Sequence, residues 1–140
     1  MHHRPMRDII VRREPVCLPP EATVQDACRL MREHRIGAVM VADAEQNLLG
    51  IFTGRDAICR MLAECRDPAT TRLADVMTHR PVTMRPQEKA IDALRLMRDS
   101  GFRHVPVVDG GRLVGIVSRG DFHAAEQGRL EDESHLWERL

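Results

Sequence analysis

Aromatic side chains are scarce in this 140-residue sequence, which has no tyrosine, one tryptophan and three phenylalanines. Proteins that bind single-stranded nucleic acids stack bases on such side chains, so this mode of binding has little support. An excess of positive charge is also lacking, because 21 acidic residues balance the 21 basic ones. Broad binding to nucleic acid or to a membrane surface relies on accumulated positive charge. We therefore expect neither as a partner.

The sequence also lacks long apolar runs and the common catalytic motifs. It begins Met1-His-His-Arg-Pro5 and has no segment that fits a signal peptide or a transmembrane helix, so the expected location is the cytoplasm. Its four cysteines show no CxxC spacing, which favours reduced thiols over a zinc or redox site. No GxSxG, GKT/S, HExxH or glycine-rich dinucleotide motif occurs. We expect a protein that is not an enzyme and requires no cofactor or metal.

One motif occurs twice. Leu48-Leu-Gly-Ile-Phe-Thr-Gly-Arg-Asp56 returns as Leu113-Val-Gly-Ile-Val-Ser-Arg-Gly-Asp121, with Gly50 and Gly115 standing 65 residues apart. Each copy is a short apolar run with β-branched residues, followed by a hydroxyl residue and, three positions later, an aspartate. This pattern predicts a strand that leads into a helix.

The surrounding sequence repeats as well, and it predicts two units of strand, helix, strand, strand and helix. We expect a mixed α+β or α/β fold in which the two repeats pack as a pseudo-twofold pair through their small sheets, because about 65 residues make a small independent core. Thr23 can cap the first predicted helix in a capping box with Asp26, three residues on. The predicted divisions are repeat 1 at 5–62, a linker at 63–71, repeat 2 at 72–127 and a helical tail at 128–140.

Several short elements are predicted within each repeat. Helical turns are expected at 4–11 and 72–78. The proline-bounded stretches 15–18 and 81–84 predict strands. Further strands are expected at 36–41, 48–53, 105–108 and 113–118.

The hydroxyl and aspartate of each motif are candidates for ligand binding. Thr53 and Ser118 could donate to phosphate oxygens, and Asp56 and Asp121 could accept from vicinal ribose hydroxyls, at the point where a strand gives way to a helix. Alternatively, each aspartate caps the next helix and each hydroxyl closes the turn. Two copies at matched positions favour a pair of related binding sites.

Basic side chains are distributed unequally between the copies. Arg103 and His104 precede Val105-Pro106 at the start of an apolar strand, where they could reach an anionic ligand. Gly37 and Ala38 stand at the matching positions of the first copy. We therefore expect unequal sites, with the second copy supplying most phosphate contacts. Arg103 could instead be a solvated surface charge, and Arg119 within the second motif is a weaker candidate.

The order of these motifs resembles a cystathionine β-synthase (CBS) domain, present twice. The resemblance rests on Val82-Thr-Met-Arg-Pro86, Ile91-Asp-Ala-Leu-Arg-Leu-Met97, Phe102-Arg-His-Val-Pro-Val-Val-Asp109 and the second motif. It implies a tandem pair that binds an adenosine ligand such as AMP, ATP, NAD or S-adenosylmethionine. The implied ligand-binding residues are Thr53, Asp56, Thr78, Val82, Arg103, His104, Pro106, Ser118, Arg119 and Asp121.

The resemblance also implies a regulatory role and a homodimer. A pair of this kind would sense its ligand and act on a separate, unidentified protein. Ala27, Met31, Ala93 and Met97 could form the dimer interface, although they could equally be buried within one chain. A different class of function stays open, namely a structural or dimerisation module without a ligand, whose aspartates only cap helices.

Overall fold

The computed structural model describes residues 4–10 and 15–122, which form two compact units. Unit I consists of Pro15–Val82 and Gly110–Leu113. Unit II contains Thr83–Asp109 and the described residues at 4–10 and 114–122. The predicted tail at 128–140 lies outside the described residues. The mixed α and β composition of the units confirms the predicted fold class.

Helices and short strands alternate along the chain. In chain order they are α1 (Met6–Ile10), β1 (Cys17–Leu18), α2 (Val24–His34), β2 (Ala38–Ala42), β3 (Leu48–Thr53), α3 (Gly54–Asp56), a π-helical continuation of α3 (Ala57–Leu62), α4 (Leu73–Val76), β4 (Thr78–His79), α5 (Ala90–Ser100), β5 (His104–Asp109), β6 (Arg112–Ser118) and a 3₁₀ turn (Arg119–Asp121).

Unit I is built on a four-stranded sheet with the order β1-β2-β3-β4. β1 runs parallel to β2, and the other two pairings are antiparallel. All five residues of β2 are buried, and Phe52 of β3 is fully buried. They pack with α2 and α4 in one core of Val24, Ala27, Val39, Val41, Phe52, Met61, Leu73, Val76 and Met77. Burial of each large side chain contributes about 1.5–3 kcal/mol, so this core fixes the strand end that carries Thr53.

The capping box predicted for α2 is present. Thr23 Oγ1 accepts from the Asp26 N–H at 3.1 Å, and the Asp26 carboxylate accepts from the Thr23 N–H at 3.3 Å. The helix ends at Arg35, whose φ of 54° is left-handed. The two caps explain why the apolar periodicity yields a helix of 11 residues here.

Unit II has a two-stranded sheet, β5-β6, covered by α5 and α1. The buried residues of α5 recur at helical spacing, as the sequence predicted. The core consists of Met6, Ile9, Met84, Ala90, Ile91, Ala93, Leu94, Met97, Val105, Val107, Val117 and Phe122. Ala93 and Met97 are therefore buried in their own unit, as is Ala27 in unit I, and these residues are not available as an exposed dimer surface.

In each unit a short helical turn, α1 or α4, is held by backbone hydrogen bonds to residues about 50 or more positions away in the sequence. In unit II, the N–H groups of Met6 and Arg7 donate to the carbonyls of Glu88 and Pro86 at 2.8 and 2.9 Å. In unit I, Leu73 and Ala74 donate in the same way to Ala22 and Pro20, at 2.9 and 3.1 Å. We call residues 4–10 and 71–79 the first and second leading segments. The first opens repeat 1 in the sequence but packs in the unit that carries the second motif.

Two of the predicted local elements are wrong. Residues 81–84 do not form a strand, and only Met84 makes a bridge, with Val107. In unit I the Met40 N–H donates to the Val16 carbonyl at 3.0 Å; Pro106 occupies the position of Met40 in the second copy and has no N–H, so the second parallel pairing is shorter. Thr78, predicted as helical, lies in β4 instead.

Candidate functional site

The first motif places Thr53 and Asp56 in direct contact at the carboxyl end of β3. The Thr53 N–H and hydroxyl both donate to Asp56 Oδ2, at 3.0 and 3.1 Å, and the Asp56 N–H donates back to Thr53 Oγ1 at 3.2 Å. Both residues are half-buried. This reciprocal capping box fixes the aspartate rotamer where the strand becomes a helix.

The second motif repeats this geometry in unit II. The Ser118 N–H donates to Asp121 Oδ2 at 2.7 Å, and the Ser118 hydroxyl donates to the same oxygen at 3.2 Å. Both residues are again half-buried. The equivalence of Thr53 with Ser118 and of Asp56 with Asp121 therefore extends from residue type to hydrogen bonding.

A backbone hydrogen bond joins each motif to the strand beside it, and here the side chains differ between the copies. In unit I the Gly54 N–H donates to the Gly37 carbonyl at 3.0 Å. In unit II the Arg119 N–H donates to the Arg103 carbonyl at 3.1 Å. Two arginines thus stand beside the second motif where the first has two glycines. Space is open there in unit I, since nothing lies within 4 Å of a Cβ built on Gly54.

His104 extends the basic group of unit II. It opens β5 and is half-buried, whereas Arg103 and Arg119 are exposed. Burial lowers the pKa of His104 below its ordinary value of 6.5, the Asp121 carboxylate opposes this shift, and Arg103 adds to it. The lowered pKa favours the neutral form of the imidazole. A negatively charged ligand would favour its protonation.

The structure brings Arg103, His104, Ser118, Arg119 and Asp121 together in unit II. The remaining three predicted residues, Thr78, Val82 and Pro106, do not take part in these contacts. Thr78 is half-buried in β4 and pairs with Ile51, two residues before Thr53. Pro106 is buried, and its carbonyl accepts from the Met84 N–H at 3.0 Å. Val82 is 46% exposed.

Sequence reasoning missed two arginines that contact the motifs. The Arg60 Nε lies 3.6 Å from Asp56 Oδ1, and the Arg4 Nη2 donates to the Asp121 carbonyl at 3.2 Å. The spacing of four residues between Asp56 and Arg60 is an available signal, because such pairs meet on a helix. Arg4 carries no comparable signal, since 117 residues separate it from its partner.

Among the residues that the structure describes, no group of three His, Cys, Asp or Glu side chains could hold a metal ion. Their four cysteines are free, and burial raises the thiol pKa of Cys17 and Cys28. A surface cleft of about 400 Å³ lies at the opposite end of β2 and β3 from Thr53, and it contains none of the predicted site residues. Its lining is Cys17, Leu18, Pro19, Pro20, Glu21, Ala42, Asp43, Ala44 and Gln46.

Both repeats match one known family of protein domains. The family model for the CBS domain matches residues 6–63 and 73–128. The chain belongs to the CBS-domain family. The tandem pair implied by the resemblance is thereby confirmed. Among the helices that the structure describes, none is long and apolar enough to cross a membrane.

Several CBS proteins resemble the chain over most of its length. YhcV of Bacillus subtilis is 40% identical over 103 residues, which cover 73% of this chain and 71% of that protein. The mitochondrial CBSX3 of Arabidopsis thaliana is 36% identical over 71% of this chain. The chain spans half the length of CBSX3 and 18% of some other plant relatives.

A solved structure supports the fold and describes a ligand. The CBS domain protein PAE2072 from Pyrobaculum aerophilum, complexed with AMP, has a TM-score of 0.80 to this chain at 26% sequence identity. The match covers 91% of this chain and 98% of that one. Both the helices and the small sheets of this CBS pair thus have a counterpart in a protein that binds an adenosine nucleotide.

Proposed function

We propose that the chain is a regulatory module that binds an adenosine ligand of the AMP, ATP, NAD or S-adenosylmethionine type and transmits the binding event to a separate protein. The observation that carries this proposal is the unit II cluster, in which Arg103, His104 and Arg119 accompany the Ser118–Asp121 pair. Guanidinium groups suit phosphate, and a fixed carboxylate suits the two ribose hydroxyls. The AMP complex of PAE2072 supports the ligand class.

The two copies differ in their basic side chains, and this difference predicts which motif contributes more to ligand binding. Unit II offers the basic side chains for an anionic ligand, whereas Gly37 and Gly54 leave the first motif with fewer positive groups. We expect the second motif to contribute more to the binding of a phosphorylated ligand. Thr78 and Val82 remain proposed contacts in unit I, and Pro106 remains a proposed contact in unit II.

Calorimetric titration tests the proposal. The wild-type protein is titrated with AMP, ATP, NAD and S-adenosylmethionine, and then the Asp56→Ala, Asp121→Ala double variant is titrated with whichever ligand binds. Binding by the wild type and its loss in the double variant are expected. Asp99→Ala is the control, since Asp99 lies on α5 with a 64% exposed side chain. Absence of heat from all four ligands, or full binding by the double variant, would refute the proposal.

We also propose that the module is a homodimer. Ile58 and Leu62 lie four residues apart in the π-helical segment and are 61% and 75% exposed, so they present large apolar side chains on one face. A Leu62→Glu substitution should therefore dissociate the dimer in analytical ultracentrifugation, whereas the exposed control Arg66→Glu should not. A wild-type monomer at micromolar concentration would contradict this assignment.

The same apolar face supports the second candidate, a dimerisation module that has no ligand. In that case the melting temperature would not change with any of the four ligands while the dimer persisted, because only a ligand that binds the folded state raises it. A regulatory role without catalysis and a cytoplasmic location complete our proposal. Cell fractionation tests the location, which the mitochondrial relative shows is not uniform among similar proteins.

A further inference from the structure

Arg60 contacts two parts of the proposed site in unit I. Its Nη1 donates to the carbonyls of Val76 and Met77, both at 2.9 Å. Its Nε lies 3.6 Å from Asp56 Oδ1. A single guanidinium group therefore spans the distance between the carboxylate of the first motif and the residues that immediately precede Thr78.

The shape of the guanidinium group explains why arginine suits this position. It carries five N–H donors in a rigid planar fork, so it can reach a carboxylate and two carbonyls at once. The Val76 and Met77 carbonyls lie at the end of α4, where backbone acceptors have no partner within the helix. Arg60 supplies that partner and holds the end of the second leading segment.

The held segment is also tightly packed against β3. A Cβ built on Gly50 would lie 2.6 Å from Met77 Sδ and 2.7 Å from the Thr78 carbonyl oxygen. β4 pairs with β3 through Gly50 and Ile51. Because Arg60 bonds to Met77 and Met77 packs against Gly50, a movement of this segment would disturb both contacts. The chain passes from unit I to unit II a few residues later, between Val82 and Thr83.

We propose that Arg60 is a positioning residue that couples Asp56 to the second leading segment, so that ligand binding at Asp56 restrains Thr78 and the chain that follows it. This inference rests on the proposed function. A ligand that fixes the Asp56 carboxylate fixes the partner of the Arg60 Nε, and the same side chain holds the carbonyls before Thr78. By linkage, the factor by which the bound ligand favours the ordered segment equals the factor by which ordering of the segment raises the ligand affinity. A variant with a loosened segment should therefore bind the ligand more weakly.

Unit II contains a related connection with different geometry. There the arginine comes from the first leading segment, and Arg4 Nη2 donates to the Asp121 backbone carbonyl at 3.2 Å. The Arg4 carbonyl in turn accepts from the Ala90 N–H at 2.7 Å. Both units thus connect the aspartate motif to a leading segment through an arginine, which supports the coupling role that we assign to Arg60.

The test compares Arg60→Gln with the exposed connector variant Arg66→Gln. Circular dichroism first establishes that each variant folds, and Arg60→Lys replaces Arg60→Gln if the latter does not. We expect Arg60→Gln to weaken the ligand that binds the wild type by about 10-fold, and Arg66→Gln to leave the affinity unchanged. Hydrogen exchange should show that the ligand protects the Thr78 and His79 amides in the wild type but no longer does so in Arg60→Gln.

A double-mutant cycle separates coupling from a purely structural role. If Arg60 acts through Asp56, the Asp56→Asn, Arg60→Gln double variant should bind no more weakly than Asp56→Asn alone. Additive losses, or an unchanged affinity in Arg60→Gln, would overturn the inference while the proposed function stands. A wild-type protein that binds none of AMP, ATP, NAD and S-adenosylmethionine would overturn both.

Discussion

Gly50 is the position in the repeated motif where the structure makes the sharpest stability prediction. It lies in β3 opposite His79, and an added Cβ would meet Met77 Sδ at 2.6 Å, the Thr78 carbonyl oxygen at 2.7 Å and Met77 Cγ at 3.0 Å. Real Cβ contacts are essentially never closer than 3.0 Å. A Gly50→Ala substitution therefore forces β4 or the Met77 side chain to move.

The size of the effect follows from which atoms obstruct the methyl group. The Thr78 oxygen belongs to the backbone and cannot change rotamer, and Met77 is only 3% exposed, so its side chain has little space to swing away. Overpacking of this kind costs about 1–3 kcal/mol. We expect the free energy of unfolding to fall by about 2 kcal/mol, and the melting temperature to fall by roughly 6–8 °C.

Urea denaturation followed by circular dichroism measures the change in the free energy of unfolding. Gly54→Ala is the matched control, because nothing lies within 4 Å of its added Cβ, and this variant should be unchanged or stabilised by up to about 1 kcal/mol. The Gly50→Ala variant should also bind the ligand less tightly, since β4 carries Thr78. If Gly50→Ala and Gly54→Ala unfold at the same urea concentration, the close approach of β4 to β3 is wrong.

Three further predictions concern pH, thiol reactivity and helix capping. The pKa of His104 is lowered on folding, so the unfolded chain binds more protons than the folded one as the pH falls below about 6.5, and the free energy of unfolding decreases as the pH falls. His104→Gln should make this decrease smaller between urea titrations at pH 7.5 and 5.5. An equal decrease in the variant and the wild type would exclude this role of His104. Cys59 is exposed, as is Cys65, whereas burial raises the pKa of Cys17 and Cys28. Cys59→Ser should therefore lower the amplitude of the fast phase of thiol labelling at pH 8 and Cys17→Ser that of the slow phase, with the reverse assignment counting against the structure. Thr23→Ala should cost about 1 kcal/mol of unfolding free energy through loss of the α2 cap, and no change would contradict it.

Local chemistry predicted much of the fold because the determining residues are neighbours in the sequence. The short apolar run that ends in a hydroxyl residue predicts β3 with its observed bounds, Leu48–Thr53, and the Thr23 capping box gives α2 its start. The shared position of Thr53 and Ser118 before each aspartate also appears in the structure as matching hydrogen bonds. In each case the interacting groups are at most a few residues apart, so spacing alone carries the information.

Contacts between distant residues were not predictable in this way. The docking of α1 in unit II depends on backbone hydrogen bonds such as Met6 to Glu88, and backbone groups leave no mark in the sequence. The strand expected at 81–84 failed because Pro106, more than 20 residues away, lacks the required N–H. The apolar faces of α2 and α5 could not be assigned to an interface or to a core. Ala27, Ala93 and Met97 are buried in the cores, whereas Met31 of α2 is half-buried and packs against the core of unit I.

The capping role of the aspartates and their proposed role in ligand binding use the same geometry, so one does not exclude the other. The cap engages Asp56 Oδ2 and thereby fixes the rotamer of the whole carboxylate, while 13% of its side chain stays exposed. A carboxylate already held in place loses less conformational entropy when a ribose hydroxyl binds to it. A loss of stability in Asp56→Asn would therefore be expected under either function. Only ligand affinity, compared between Asp56 and Asp121 variants, discriminates between a nucleotide site and a helix cap.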